Sequence, residues 1–399
     1  MGDPAPAWLS IVGMGEDGLE GLAPASRAAL DRAEIIFGGP RHLDLAGAGA
    51  RGRPWPVPFS VAPVLALRGR RVAILASGDP FWYGAGGSLA AVLAPDDWQA
   101  FPAPSTFALV AARLGWRIEE TDCLGLHAMP FERLVPKLRN GWAAICLVRD
   151  GPAAGSLMRW LDARGYGAST VWILEALGGQ RERVRQFPAS GPVPEDIAAP
   201  VAVAFIATGP PGLPGTSGLA DDAFRHDGQI TRRPIRALTL SALAPRPGER
   251  LWDIGAGSGS VAIEWLLATG SRGHAIAIEA RADRAEAIRA NGQAFGLEDR
   301  LSVVAGRAPA ALAGLAPPDA VFLGGGADGA LLAAVWQGLP AGARLVVNAV
   351  TLETEALLIE WAGQHGGELV RIEIAEAAPL GRFRGWVPGR PIVQWSVTR

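Results

Sequence analysis

Short apolar runs alternate with amphipathic stretches almost from the start of the chain. WLSIVGMG, EIIFGG and RVAILASGDP read as strands, and APASRAALDRA and STFALVAARLG as helices. A pause rich in Pro and Gly near 126–140 divides this half into two lobes. The second lobe continues with AAICLVRDG as a strand, AAGSLMRWLDARGY as a helix, and TVWILEALG and VAVAFIATGPP as strands. Strands that end in glycine and feed helices predict an α/β fold on a mostly parallel sheet. Residues 209–220, GPPGLPGTSGLA, carry no apolar periodicity and predict a linker. After the helical stretch PIRALTLSAL the pattern restarts with seven strand-like runs, from ERLWDIGAG to PIVQWSVT, and helices between the first six. The last two runs, joined by PLGRFRGWVPGR, predict an antiparallel hairpin. The expected organisation is a two-lobed domain over 1–212, a linker and lead-in over 213–232, and a seven-stranded Rossmann-like domain over 233–399.

Composition narrows the classes. Apolar residues make up 49% of the 399, enough for sizeable cores, and the formal net charge is -2. No global basic field draws the chain to nucleic acid or anionic lipid. Cys123 and Cys146 are the only cysteines, too few for a disulfide framework or a paired-cysteine zinc site, and no metal is expected. The opening MGDPAPAWLSIVGMG lacks a basic region followed by an apolar one, so it does not read as a signal peptide. Every apolar stretch breaks before the roughly 18 residues a membrane span needs. A cytoplasmic protein is expected.

Two glycine turns carry the chemistry. DIGAGSGSVAIEW spaces Gly255, Gly257 and Gly259 as G-x-G-x-G, with Asp253 at the strand end before them. A dinucleotide turn reads G-x-G-x-x-G and places a helix N-terminus against a pyrophosphate. A carboxylate two residues before the first glycine is unsuited to an anion and suited to an amine-bearing, cationic ligand. Glu279 ends the next strand, 20 residues after Gly259, where an acid accepts ribose hydroxyls. These features fit S-adenosylmethionine (SAM) better than NAD, with Ala256 in the turn and Arg307 and Ala308 of VVAGRAP beside the adenine. The fourth strand ends DAVFLGGG. Gly324, Gly325 and Gly326 leave open space and offer no amine-polarising side chain. That suits a large flat substrate whose own carbon is the nucleophile.

The first turn, IVGMGEDG, has the G-x-G-x-x-G spacing at Gly13, Gly15 and Gly18, yet the second strand ends in glycines where a ribose acid is required. Other pieces decide this half. LASGDPFWYGAG, PAPSTFALVAARLG, ILEALGG and FIATGPP, in that order over about 8–212, resemble the tetrapyrrole methylase family. That resemblance implies SAM folded between two lobes, against Gly78, Asp79, Pro80, Ser105 and Thr106, with Leu177 and Ala207 from the second lobe. CLGLHAMPFERL is similar to a Leu-His-Gly-Arg-Pro stretch of precorrin C5 methyltransferases. His127 is thereby implied at the substrate, while Ala128 and Met129 replace the stretch's Gly and Arg.

Residues 218–399 resemble the decarboxylating precorrin methyltransferases through GLADDAF, ITRRPIRALTLSAL, DIGAGSGSVAIEW, VFLGGG and LVVNAVTLETE. The joined halves are similar to fused enzymes of cobalamin biosynthesis. The resemblance implies methylation of precorrin-6B (dihydroprecorrin-6) at C5 by the first half. It implies methylation at C15 and loss of the ring C acetate carboxyl by the second half, giving precorrin-8, with one SAM per domain. A substrate bearing many carboxylates calls for arginine forks. Arg232 and Arg233 before the second fold and Arg382 and Arg384 in the final hairpin are the candidates, with Asn348 at the tip of the fifth strand. No catalytic dyad stands out, which suits a reaction that rests on positioning. The same chemistry on a cobalt-containing substrate, an RNA or protein methyltransferase, and a non-catalytic SAM-binding regulator are the alternatives. Near-neutral charge and the missing base-amine motif weigh against nucleic acid as partner. Both resemblances imply self-association.

Overall fold

The computed structural model describes residues 7–399, so the first six residues of the opening segment lie outside the described residues. The chain forms two compact units. One comprises residues up to Met129 together with Arg139–Pro211, and the other comprises Pro130–Leu138 with Gly212–Arg399.

The first unit holds two five-stranded sheets. In the first lobe, β1 (Leu9–Met14), β2 (Ile35–Gly38), β3 (Gly52–Pro54), β4 (Val72–Ser77) and β5 (Trp98–Phe101) run in the order β3-β2-β4-β1-β5. Every pairing in it is parallel. Leu9, Ile11, Ile74 and Leu75 are fully buried, which accounts for the unbroken apolar runs of β1 and β4. The second lobe contains β6 (Asp122–Gly125), β7 (Ala143–Leu147), β8 (Thr170–Glu175), β9 (Arg183–Pro188) and β10 (Val201–Ile206), ordered β6-β7-β10-β8-β9. Here only β6 and β7 are parallel, and the other three pairings are antiparallel. The expectation of a mostly parallel sheet therefore fails in this lobe. No helix separates β8, β9 and β10, and without a crossover consecutive strands cannot return parallel.

The second unit is built on one seven-stranded sheet. β11 (Arg250–Ile254), β12 (His274–Glu279), β13 (Leu301–Ala305), β14 (Ala320–Leu323), β15 (Arg344–Ala349), β16 (Glu368–Ile372) and, last in the chain, β19 (Ile392–Thr398) take the order β13-β12-β11-β14-β15-β19-β16. The first five are parallel, and β19 runs antiparallel to β15 and β16. Only a short 3-10 turn, Ala310–Leu312, stands where a helix was expected between β13 and β14. PLGRFRGWVPGR is not a plain loop. With preceding residues it forms a separate two-stranded ribbon, β17 (Ala375–Leu380) and β18 (Phe383–Pro388). Helices cover both faces, and Trp265 and Trp395 are fully buried within the two cores. Order reverses between β11 and β14, and open α/β sheets take ligands in the crevice outside the carboxyl ends of strands at such a reversal.

A buried ion pair between the helices Arg233–Leu243 and Ser260–Ala268 fastens the lead-in segment to this unit. Arg236 is 0% exposed and donates through Nε to Glu264 at 2.6 Å. It also donates to the carbonyls of Thr231 and Leu219 and lies over the Phe224 ring. Glu264 in turn accepts from the backbone N–H of Gly218 and Leu219. Both charges are thus surrounded by hydrogen bonds, the condition on which a buried pair is tolerated.

Candidate functional sites

In the first unit the strand ends of both lobes meet at a cleft. The turn after β1 and the Gly-Asp-Pro loop after β4 press together. A Cβ on Gly13 would lie 1.8 Å from the Gly78 carbonyl oxygen, and one on Gly78 (φ +58) 2.7 Å from the backbone at Pro104 and Ser105. Only glycine permits that approach. The first glycine turn therefore serves close packing of loops. Ser105 accepts the Ala108 N–H at 3.1 Å, capping the helix Thr106–Leu114, which Gly115 ends in the left-handed conformation.

The cleft has two adjoining chambers. One, about 170 Å³, is lined by Met14, Gly15, Gly78, Thr106, Leu109, Leu174 and Leu177. The other, about 300 Å³, is lined by Trp55, Phe59, Trp82, Tyr83, Ser105 and Phe107. His127, Thr106 and Ser77 border both. Desolvation by the cleft walls lowers the His127 pKa, so its ring is neutral near pH 7. Gly78, Ser105, Thr106, Leu177 and His127 are thus brought together. Asp79 and Pro80 shape the loop instead of facing the chambers, Asp79 Oδ1 accepting the Phe81 N–H and the Pro80 carbonyl that of Gly86. Ala207 is a correction. Because β10 runs antiparallel to β7 and β8, its first residues, Val201 and Ala202, face the chamber. Ala207 lies past the far end, with its backbone bonded to Gly141 and Trp142.

Sequence reading missed a polar cluster here. Arg41 follows β2 by three residues, pairs with Glu16, and borders the smaller chamber, while His42 borders the larger. Burial, then the adjacent Arg41 charge, drive the His42 pKa down to about 4. The available signal was a glycine-ended strand running into Pro-Arg-His, which sequence spacing alone does not connect to Ser77.

In the second unit Gly255, Gly257 and Gly259 all take left-handed φ, at 70°, 60° and 75°. A Cβ on Gly259 would meet Ile288 at 2.9 Å. Glu279 secures the turn: Oε2 accepts the Gly257 N–H and Oε1 the Arg281 N–H, each at 2.9 Å. Each oxygen keeps a further lone pair for a ligand hydroxyl. Asp253 is 1% exposed; Oδ2 accepts the Ala262 N–H at 3.2 Å, and Oδ1 has no partner. Burial pushes this carboxyl up to about 7, and nearby Glu279 adds to the rise. The Ser258 hydroxyl is likewise buried without a partner. Across the crevice, a Cβ on Gly324 would lie 3.9 Å from the Gly255 carbonyl oxygen, and one on Gly255 4.0 Å from that of Gly325.

The structure gathers Asp253, the glycines, Glu279, Gly324 and Gly325 at one edge. Ala256 packs on the core below, Ala308 packs on the second core, and Arg307 is exposed after β13. Asn348 is a correction: only 2% exposed, it donates to Thr239 and accepts from Gln394, so its polar atoms are spent inside the unit. Arg232 pairs with Asp221 at 3.4 Å, and Arg233 is exposed at the start of the helix Arg233–Leu243. Arg382 and Arg384 lie on the ribbon, Arg382 stacked on Phe383. None of these four arginines is shown facing the glycine crevice.

Two family models match the chain. Residues 9–191 match the tetrapyrrole (corrin/porphyrin) methylases, and residues 222–399 match the precorrin methyltransferase domain. A Sinorhizobium sp. protein named "Precorrin-6Y C(5,15)-methyltransferase [decarboxylating]" is 44% identical over 98% of this chain and 96% of its own. Two shorter relatives match about a third to a half of the chain. "Probable cobalt-precorrin-6B C(15)-methyltransferase (decarboxylating)" of Saccharolobus solfataricus is 34% identical over 34% of this chain and 71% of its own. "Cobalt-precorrin-7 C(5)-methyltransferase" of Salmonella typhimurium is 30% identical over 46% of this chain and 91% of its own. With both domain types in order and a relative matched from end to end, the chain belongs to the precorrin-6Y C(5,15)-methyltransferase (decarboxylating) family, a family of methyltransferases.

Proposed function

We propose that the chain methylates precorrin-6B at C5 and C15 and decarboxylates its ring C acetate, giving precorrin-8 in cobalamin biosynthesis, with one SAM in each unit. The observation that carries the reading for the second unit is the buried, unpartnered Asp253 Oδ1 beside three left-handed glycines. An uncompensated carboxylate at a backbone cradle is costly unless a cation meets it, and SAM brings both an ammonium and a sulfonium. The donor set therefore fits. Asp253 takes the cationic end, Gly255, Ala256, Gly257 and Gly259 allow close backbone approach, and Glu279 accepts the ribose hydroxyls. Arg307 and Ala308 flank the adenine. In the first unit Gly78, Thr106 and Leu177 of the smaller chamber hold the cofactor, with Asp79, Pro80 and Ser105 fixing the loops.

When bound, SAM supplies an electrophilic methyl group. The chain's residues align that methyl with a carbon nucleophile and exclude water. Leu109, Leu174 and Leu177 give the smaller chamber its apolar wall. Trp55, Phe59, Trp82 and Tyr83 offer the larger chamber's aromatic faces to one edge of a flat macrocycle, and His127 sits at the junction. In the second unit Gly324 and Gly325 leave room for the macrocycle, Arg232, Arg233, Arg382 and Arg384 are the cations proposed for its carboxylates, and Arg225 and Arg284 line a cavity with Gly257 and Ser258. The names of the two shorter relatives put C15 chemistry on a 6B substrate and C5 chemistry on a 7 substrate. By that numbering the second unit acts first.

The protein is further proposed to be cytoplasmic and a homo-oligomer. The ribbon β17–β18 supports association with a second copy: Leu380, Phe383 and Trp386 on it are exposed, and an isolated two-stranded ribbon is marginal until its edges and faces are covered. The test of the function is the product formed from SAM and metal-free precorrin-6B. Gain of two methyl groups with loss of one CO2 supports it, and turnover of the cobalt-containing substrate alone favours the anaerobic counterpart.

A further inference from the structure

Ser77, His42, Arg41 and Glu16 form a connected chain along the wall between the two chambers of the first unit. Ser77 ends β4 immediately before Gly78 and borders both chambers. Arg41 Nη2 lies 3.0 Å from His42 Nε2 and 3.2 Å from Ser77 Oγ, and those two acceptor atoms are 2.9 Å apart. A guanidinium only donates, so the tautomer that fits a guanidinium nitrogen 3.0 Å from Nε2 carries its single proton on Nδ1, with the one lone pair of Nε2 shared between Arg41 and Ser77. The 2.9 Å contact then needs the Ser77 O–H as its donor. Ser77 Oγ accepts from Arg41, gives its hydrogen to His42, and keeps one lone pair. Glu16 balances the Arg41 charge from the other side. The wall therefore presents a hydrogen-bond acceptor of fixed orientation and no net charge.

We propose that Ser77 is a catalytic residue of the C5 reaction, accepting a hydrogen bond from the tetrapyrrole ring N–H next to the carbon that takes the methyl. His42 and Arg41 are positioning residues that act through it. The proposal rests on the reading of this cleft as the C5 site. As the carbon–methyl bond forms from the substrate's enamine pair, the sulfur–methyl bond breaks with its electrons going to sulfur. The enamine nitrogen becomes positively charged until its N–H proton leaves to solvent and an imine remains. Its N–H is most acidic, and gains most from an acceptor, as that charge develops.

The experiment uses the full chain and the variants S77A, H42L, H42Q and S77A/H42L. Methylation at C5 is followed separately from C15 methylation and CO2 release, and the His42 ring is observed by 15N NMR in cofactor-free protein. S77A and H42L are expected to lower kcat at C5 about ten- to hundredfold, with KM for SAM unchanged and the C15 product accumulating. H42Q, which puts an amide oxygen where Nε2 was, restores most of the rate. The double variant loses no more than S77A, because the groups act as one unit. NMR shows a neutral ring protonated at Nδ1, with an Nε2 resonance that moves in S77A. An active wild type with an equally active S77A, multiplicative losses in the double variant, or a proton on Nε2 overturns the proposal alone. A wild-type chain that forms no C5 product overturns the reading of the cleft and the proposal with it.

Discussion

At the residue scale, the cofactor role proposed for Asp253 makes SAM binding depend on pH. Its folded-state pKa is raised from 3.8 to about 7 by burial first and by Glu279. In that window the folded chain holds a proton that the unfolded chain does not. The stability it contributes is full below the ordinary carboxyl pKa and is lost as pH rises through 7. Cofactor binding has the opposite sign, since a cation needs the ionised carboxyl. SAM affinity at the second unit should fall about tenfold per pH unit below 7. Titration calorimetry at pH 6 and pH 8 should show it, and D253N should abolish the slope; equal affinities at both pH values would contradict the assignment. Arg236 gives a stability prediction. R236M leaves Glu264 buried without its cation and should cost about 3–5 kcal/mol, read from the second unit's denaturant midpoint. An unchanged midpoint would show that the pair does not fasten the lead-in segment. The placement of Asp253 and Glu279 at one crevice was legible because a strand, a glycine turn and a second strand lock their spacing. Asn348 was misread because a polar residue at a strand tip looks the same whether it faces a ligand or Thr239. The cluster of Glu16, Arg41, His42 and Ser77 was not legible, since its members lie on a loop, a short helix and a strand end far apart in sequence.

At the element scale, period and punctuation identified the long buried strands and capped helices. Edge strands escaped. β3, β5, β6 and β9 are short or alternate polar residues, as RVRQFP does in β9, and propensity is weak at an edge, where packing lies on one side only. Strand direction escaped as well, and it misplaced Ala207: a run of apolar residues says that a strand is buried without saying which way it points. The ribbon β17–β18 was hidden for a different reason. Its residues are rich in Gly, Pro and Arg, and Trp386 is 76% exposed, so no buried face marks the pattern. Replacing Leu380, Phe383 and Trp386 with serine should lower the mass measured by light scattering while leaving SAM affinity intact. A variant whose mass equals that of wild type would remove the ribbon from the association surface.

At the scale of the whole molecule, two sites of unrelated construction, each proposed to take one SAM, are strung on one chain. One is a cleft between lobes with parallel and antiparallel sheets, and the other is the carboxyl edge of a seven-stranded sheet. The chain divides near residue 212, in a Gly- and Pro-rich stretch that cannot extend either core; the grouping of Pro130–Leu138 with the second unit has no sequence signal, because it depends on folding at a distance. The pairing of these two constructions makes a substrate that needs two distinct carbon methylations the economical reading. The most direct measurement is the mass of the product after the full chain is incubated with SAM and metal-free precorrin-6B. A product that has gained two methyl groups and lost one CO2 is the predicted result. A product carrying a single methyl group, or unaltered substrate, would contradict the claim that both units are active on this macrocycle.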